Sequence, residues 1–204
     1  MLLDAARCIR SGRYLQMQDP VKLALSIGFS HAGIINPSKL RALPEVRDMC
    51  ADGRCRRYKR SWSCPPACGT LEEAEARMHR YRCGVLVQTT AELEDDFDVD
   101  AMMEAEKRHK TNFFTLAEQF RMQVPDCLPL GAGSCTVCEA CTYPDRPCRF
   151  PEKMFFSMEA CGILVSEACT LAGLKYYYGA RTLTYSSCVL YNLNNEQLLP
   201  NPER

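Results

Sequence analysis

The run from Gly133 to Pro151, GSCTVCEACTYPDRPCRFP, constrains this chain more than any other stretch. Cys135, Cys138 and Cys141 stand at i, i+3 and i+6, Cys148 follows after six residues, and Pro151 closes the run. A disulfide needs Cα atoms about 5.5 Å apart with their Cβ atoms facing, so three cysteines this close cannot all pair among themselves. One soft inorganic centre, wrapped by a short loop, uses every thiol at once.

The spacing is close to an iron–sulfur run in which three cysteines two residues apart meet a fourth ahead of a proline. In two-cluster proteins of that kind the fourth cysteine serves the other cluster, so the spacing leaves the partner of Cys148 open. Zinc competes, because Cys-x2-Cys is its usual knuckle, although zinc ribbons use two separated knuckles rather than three consecutive steps.

A second constellation lies upstream. Cys50, Cys55, Cys64 and Cys68 fall within CADGRCRRYKRSWSCPPAC, with Asp52-Gly53 as a turn signal. The spacing is irregular, so zinc competes more strongly here. Pro65 and Pro66 follow Cys64. Proline has a fixed φ and no N–H, so it holds the chain extended and turns it away from the sulfur. Arg54, Arg56, Arg57, Lys59 and Arg60 lie in the same loop. They read as a solvated basic loop, as charge compensation for an anionic thiolate centre, or as a docking site for an anionic substrate or partner protein. Trp62 among these arginines is also a pattern seen on RNA, but the rest of the chain is not basic, which argues against nucleic acid.

The chain has 204 residues, 47% of them hydrophobic, enough for one core, and a single domain over 1–204 is expected. Formal net charge is zero, so no global field favours nucleic acid or an anionic membrane. Fourteen cysteines in a secreted chain would suggest a disulfide scaffold. The start, MLLDAARCIRSGRYLQ, lacks the basic and long apolar regions of a signal peptide. No run reaches the ~18 apolar residues of a membrane helix. The expectation is a cytoplasmic chain with thiolates committed to metal.

Leu2, Leu3, Ala6 and Ile9 suggest a short helical face, with Cys8 an incidental thiol. Asp19 and Pro20 read as N-cap and first residue of a helix through Ile27, stopped by Gly28. His31–Ile35 reads as a strand, and a helix is expected from about Ser38 to Met49. Thr70 and Glu73 form a capping box for a helix to Tyr81. Cys83–Thr89 is a buried strand, Val99–Gln123 a long amphipathic helix, and Leu128–Ala132 a short strand. An apolar helix is expected from Pro151 to about Leu171. Lys175–Tyr178 and Thr182–Tyr191 read as two strands. His31 reads as a strand-end or core residue, His79 and His109 as solvated, and Cys83, Cys161 and Cys169 as core thiols. Glu159 stands in the apolar stretch, either at an edge and paired with a cation, or as a proton donor near a cluster or a partner of Arg149.

This order implies an α/β or α+β fold, a mixed sheet flanked by helices, with two cysteine-rich metal or cluster loops. Residues about 20–92 and 97–191 each carry one such loop followed by a helix and a strand, which suggests an old duplication.

The segments CADGRC, SWSCPPAC, LPLGAGSCTVCEAC and PCRFPEKMFFSMEACGILV resemble the prokaryotic cysteine-rich proteins labelled predicted metal-binding, domain of unknown function 2284. The likeness runs from about Leu23 to Asn192. It marks Cys50, Cys55, Cys64, Cys135, Cys138, Cys141 and Cys148, and Ser157, Met158 and Glu159 as its SME signature. The resemblance implies a metal and an anaerobic setting, but no reaction. The reading that follows is an iron–sulfur protein with one or two [4Fe–4S] clusters, moving electrons to a redox partner protein. Two others stand beside it. In one, an enzyme acting on a small-molecule substrate holds an open-iron cluster on Cys135, Cys138 and Cys141, with Cys148 or Glu159 as neighbouring acid, base or ligand. In the other, zinc staples an interaction module.

Overall fold

A computed structural model describes residues 18–53 and 55–193. The N-terminal helical face, Cys8 and Arg54 lie outside the described residues.

The first elements follow from their caps. Asp19 accepts hydrogen bonds from the N–H groups of Val21 (2.9 Å) and Lys22 (3.2 Å), starting α1 (Pro20–Ile27). Gly28, at φ +109°, ends it in a left-handed conformation. β1 (His31–Ile35) follows. Asn36 and Pro37 then open a short 3-10 turn over Pro37–Lys39, and α2 (Pro44–Ala51) begins anew at a second proline. The helix expected from Ser38 is therefore two pieces, because Leu40–Leu43 runs extended between them. The Thr70–Glu73 capping box is formed and starts α3 (Leu71–His79).

β2 (Cys83–Glu92) and β5 (Thr182–Tyr191) are the long central pair, antiparallel from Cys83 opposite Tyr191 to Glu92 opposite Thr182. β1 pairs with β2, and β3 (Cys127–Gly131) with β5, both antiparallel. β4 (Phe156–Ser157) lies parallel to β3. The order is β1-β2-β5-β3-β4, a five-stranded mixed sheet. With α4 (Val99–Gln123) and α5 (Val165–Leu171) the described residues form an α+β fold with five helices.

Alternation of side chains along β2 and β5 feeds two cores. Val85, Val87, Val189 and Tyr191 meet Leu23 of α1 and Phe113, Leu116 and Phe120 of α4. Leu86, Cys188 and Leu190 meet Met78 of α3, Met158, Cys161 and Ala168 on the opposite face. Both faces are covered where Cys83–Val87 lies beside Cys188–Tyr191, and there the central strands are almost continuously apolar. None of the helices is long and apolar enough to cross a membrane, among the described residues.

Three further expectations are corrected. The stretch after Pro151 is not one helix: it gives β4, a 3-10 turn over Glu159–Cys161, and then α5. Gly162 sits at φ +78°, which a right-handed helix cannot continue, and the Ser157 hydroxyl accepts the Ala160 N–H at 2.9 Å. Apolar runs do not distinguish a buried helix from buried irregular chain. Lys175–Tyr178 is not a strand. The Lys175 carbonyl accepts from the Gln88 side chain at 2.9 Å, and the Tyr178 hydroxyl donates to Gln88 Oε1 at 2.8 Å. One buried amide thus holds both ends of the segment in place of a ladder.

His109 is not solvated but fully buried. Its Nδ1 lies 2.9 Å from Thr89 Oγ1 and its Nε2 2.8 Å from Ser187 Oγ. Burial, aided by Lys110, lowers its pKa to about 3. Its charged neighbours Lys107, Arg108 and Lys110 in sequence hid an inward-facing helix position. Exposed His79 places Nε2 2.8 Å from the Leu40 carbonyl. His31 opens β1 and stacks on Tyr178 at 4.2 Å.

Candidate metal centre

Each cysteine loop is hung from regular elements. The C-terminal loop leaves β3 at Gly131 and returns on β4, its parallel neighbour, so the sheet fixes both ends. Within it the Thr142 hydroxyl donates to Pro147 O at 2.9 Å and Arg149 donates to Ala140 O at 2.9 Å. Cys135, Cys138, Cys141 and Cys148 line one cavity. Burial pushes the Cys135 thiol up, against the pull of the Val137 and Phe155 backbone N–H groups, and the thiols of Cys148 and Cys138 push it further. At Cys141 burial also raises the pKa, but backbone donors from Trp62, Tyr143 and Thr142 and the Ser61 hydroxyl outweigh it and leave the thiol below its ordinary value. N–H groups aimed at sulfur stabilise the thiolate, the form that binds metal.

The N-terminal loop leaves α2, which carries Cys50, and ends at α3. Lys59 N–H donates to Pro65 O at 2.9 Å and Cys68 N–H to Cys64 O at 3.2 Å, folding the loop on itself. Burial, then Cys55, Cys64 and Glu159, raise Cys50 to about 11, opposed by Arg47. Burial raises Cys64 as well, with the Ser63 hydroxyl lowering and the Cys55 and Cys68 thiols raising it. Cys68 is buried, and its thiol donates to Ala160 O at 3.6 Å. Cys161 is buried beside it, raised to about 12 chiefly by that burial.

The two loops touch. Ser61, Trp62 and Ser63, from the N-terminal loop, form a wall of the cavity that the C-terminal cysteines line. Trp62 Nε1 donates to Arg146 O at 3.0 Å, and its ring meets Tyr143 edge-on at 5.0 Å. The Ser63 hydroxyl accepts the Cys135 N–H at 3.1 Å and lies 3.7 Å from Cys64 Sγ. One hydroxyl therefore contacts a cysteine of each loop.

Glu159 does not lie with Arg149, which is spent on Ala140 O. It starts the 3-10 turn and acts on Cys50 and Cys161 of the N-terminal side. Sequence reasoning missed Arg47 and Arg77. Arg47 Nη1 donates to Gly69 O at 2.8 Å and Arg77 Nη2 to Cys68 O at 3.4 Å. Arg77 also lies over the Phe156 ring at 4.6 Å. Neither has a local motif; only the helical phase that buries Val46 and Met78 beside them hints at an inward direction.

No three His, Cys, Asp or Glu side chains are gathered into a ready ion site among the described residues. The donor set nonetheless fits a soft, anionic centre: two groups of free thiols, N–H donors around Cys135 and Cys141, and guanidinium nitrogens of Arg47 and Arg77 buried without partners beside Cys68 and Cys161. Arginine stays protonated in proteins, so these donors call for anionic acceptors, which thiolates on a metal supply.

No curated protein and no solved structure matches the chain. A family model does, described as predicted metal-binding protein (DUF2284), over residues 33–191. That span takes in both cysteine loops and the SME segment, and the chain belongs to this predicted metal-binding family.

Proposed function

We propose that the chain is a cytoplasmic iron–sulfur protein that holds a [4Fe–4S] centre on each cysteine loop and moves electrons to a redox partner in anaerobic metabolism. The observation that carries this reading is the Ser63 hydroxyl, 3.7 Å from Cys64 Sγ and bonded to the Cys135 backbone. Two cysteine loops bridged by one hydroxyl suit electron passage from one loop to the other. Such centres, when bound, supply one-electron chemistry at potentials set by charge and by hydrogen bonds to sulfur.

The chain's own residues do the rest. Cys135, Cys138, Cys141 and Cys148 would hold one centre, and the N-terminal cysteines the other. N–H donors of Val137, Phe155, Trp62 and Tyr143 stabilise anionic sulfur and raise the potential. Arg57 and Arg149 stand exposed where the C-terminal cavity opens, and Arg56, Arg60 and Arg146 are exposed on the same two loops. A positive rim of this kind steers an acidic partner toward the thiols.

Strictly anaerobic purification, followed by iron, sulfide and zinc analysis with a visible spectrum, tests the reading. About eight irons per chain and a broad band bleached by dithionite are expected. Stoichiometric zinc in a colourless, air-stable protein refutes it.

A further inference from the structure

Among the described residues, the buried side-chain nitrogen and oxygen atoms without a hydrogen-bond partner are Nε and Nη2 of Arg47, Nη1 of Arg77 and Oε2 of Glu159. The elements that carry these three residues pack together. α2, carrying Arg47 and Cys50, and α3, carrying Arg77, both pack on the Glu159–Cys161 turn. The approach is close: Leu43 N–H donates to Gly162 O at 2.8 Å, and a Cβ on Gly162 would lie 2.6 Å from Leu71 Cδ2.

Each orphaned buried group costs about 1–3 kcal/mol, more when charged. Four on elements packed against one another mark the seat of a guest. A simple anion suits the two arginines and is repelled by Glu159. A bare cation suits Glu159 and is repelled by the arginines. A thiolate-bound metal centre suits both, since its sulfur atoms accept N–H and its metal takes a carboxylate oxygen.

The thiols of this loop also divide. Cys55, Cys64 and Glu159, and Arg47 in the opposite sense, are the groups whose charge bears on Cys50. Cys68 bears on Cys64 but is set apart by geometry, its thiol turned to Ala160 O at 3.6 Å.

We propose that the N-terminal centre is held by Cys50, Cys55, Cys64 and the carboxylate of Glu159, with Arg47 and Arg77 donating to its sulfur atoms and Cys68 left as a free thiol. This rests on the metal-binding reading above and deepens it. A hard carboxylate among soft thiolates is the most readily exchanged ligand, so this centre rather than the C-terminal one is where an outside ligand would enter.

The test compares wild type, Cys68→Ser, Glu159→Gln and Glu159→Cys, each a full chain purified anaerobically and checked for folding by circular dichroism. Iron and sulfide content and low-temperature paramagnetic resonance are read. Cys68→Ser keeps the wild-type metal content and spectrum. Glu159→Gln loses about half the metal while the second signal persists. Glu159→Cys keeps the metal with an altered signal, and Arg47→Gln weakens metal retention by about 10–100-fold. Full metal in Glu159→Gln, or loss in Cys68→Ser, overturns the ligand assignment and leaves the proposed function standing. A wild-type chain that holds no metal removes both. Should Glu159→Gln not fold, Cys68→Ser still decides.

Discussion

Replacing Ser63 by alanine removes a hydroxyl shared by the two loops. Ser63 is fully buried, and its Oγ accepts the Cys135 N–H at 3.1 Å, lies 3.0 Å from Ser61 Oγ and 3.7 Å from Cys64 Sγ. Ser61 keeps a second partner, the Ser63 backbone N–H at 3.3 Å, so the main loss is the acceptor for Cys135. An orphaned donor of this kind costs roughly 1–3 kcal/mol. With an m-value of about 2–3 kcal/mol/M in urea, the unfolding midpoint falls by roughly 0.3–1.5 M. The same change withdraws a donor from Cys64 and loosens the backbone of Cys135, so the potentials of the two proposed centres should shift together. The assay is anaerobic urea unfolding alongside potentiometric titration of the purified protein. An unchanged midpoint with an unchanged pair of potentials refutes the idea that Ser63 joins the two loops. A shift in one centre alone refutes the coupling.

Two further outcomes follow from particular residues. The folded pKa of His109 lies below its unfolded value, so the unfolded chain binds the extra proton between about pH 6.5 and 3, and stability falls as pH falls through that window by about 1.4 kcal/mol per unit. Above pH 6.5 the effect vanishes; imidazole resonances of His109 should keep their neutral-form shifts at pH 5, and protonation there sinks the assignment. Gly162→Ala meets a φ of +78° and a Cβ only 2.9 Å from Leu43 N, whereas Gly173→Ala meets a φ of +71° with nothing within 4 Å. Gly162→Ala should therefore lower the melting temperature by several degrees more than Gly173→Ala; equal losses contradict the close packing of α2 on the Glu159 turn.

The local elements were readable where one residue type does one job. Asp19-Pro20, Gly28 and the Thr70–Glu73 box set helix ends by hydrogen bonds within a few residues, and α4 runs over the span its amphipathic pattern predicts. The stretch 151–171 misled because its apolar residues face a core from an irregular chain, where no period is imposed. His109 misled for the opposite reason: charged neighbours in sequence point outward while its own helix position points at Thr89 and Ser187.

For the site, spacing alone defined two groups of cysteines, because short loops bring near neighbours together whatever the rest of the chain does. Contacts between loops are of another kind. Ser63 against Cys135 spans 72 residues and Cys68 against Ala160 spans 92. No local pattern encodes such pairs. They exist because β3 and β4 fix the ends of one loop while α2 and α3 fix the ends of the other, with the Glu159 turn packed between those helices. Arg47, Arg77 and Glu159 are an ordinary scatter of charges along the chain, and only burial on the same face of the sheet turns them into one polar seat beside the thiols.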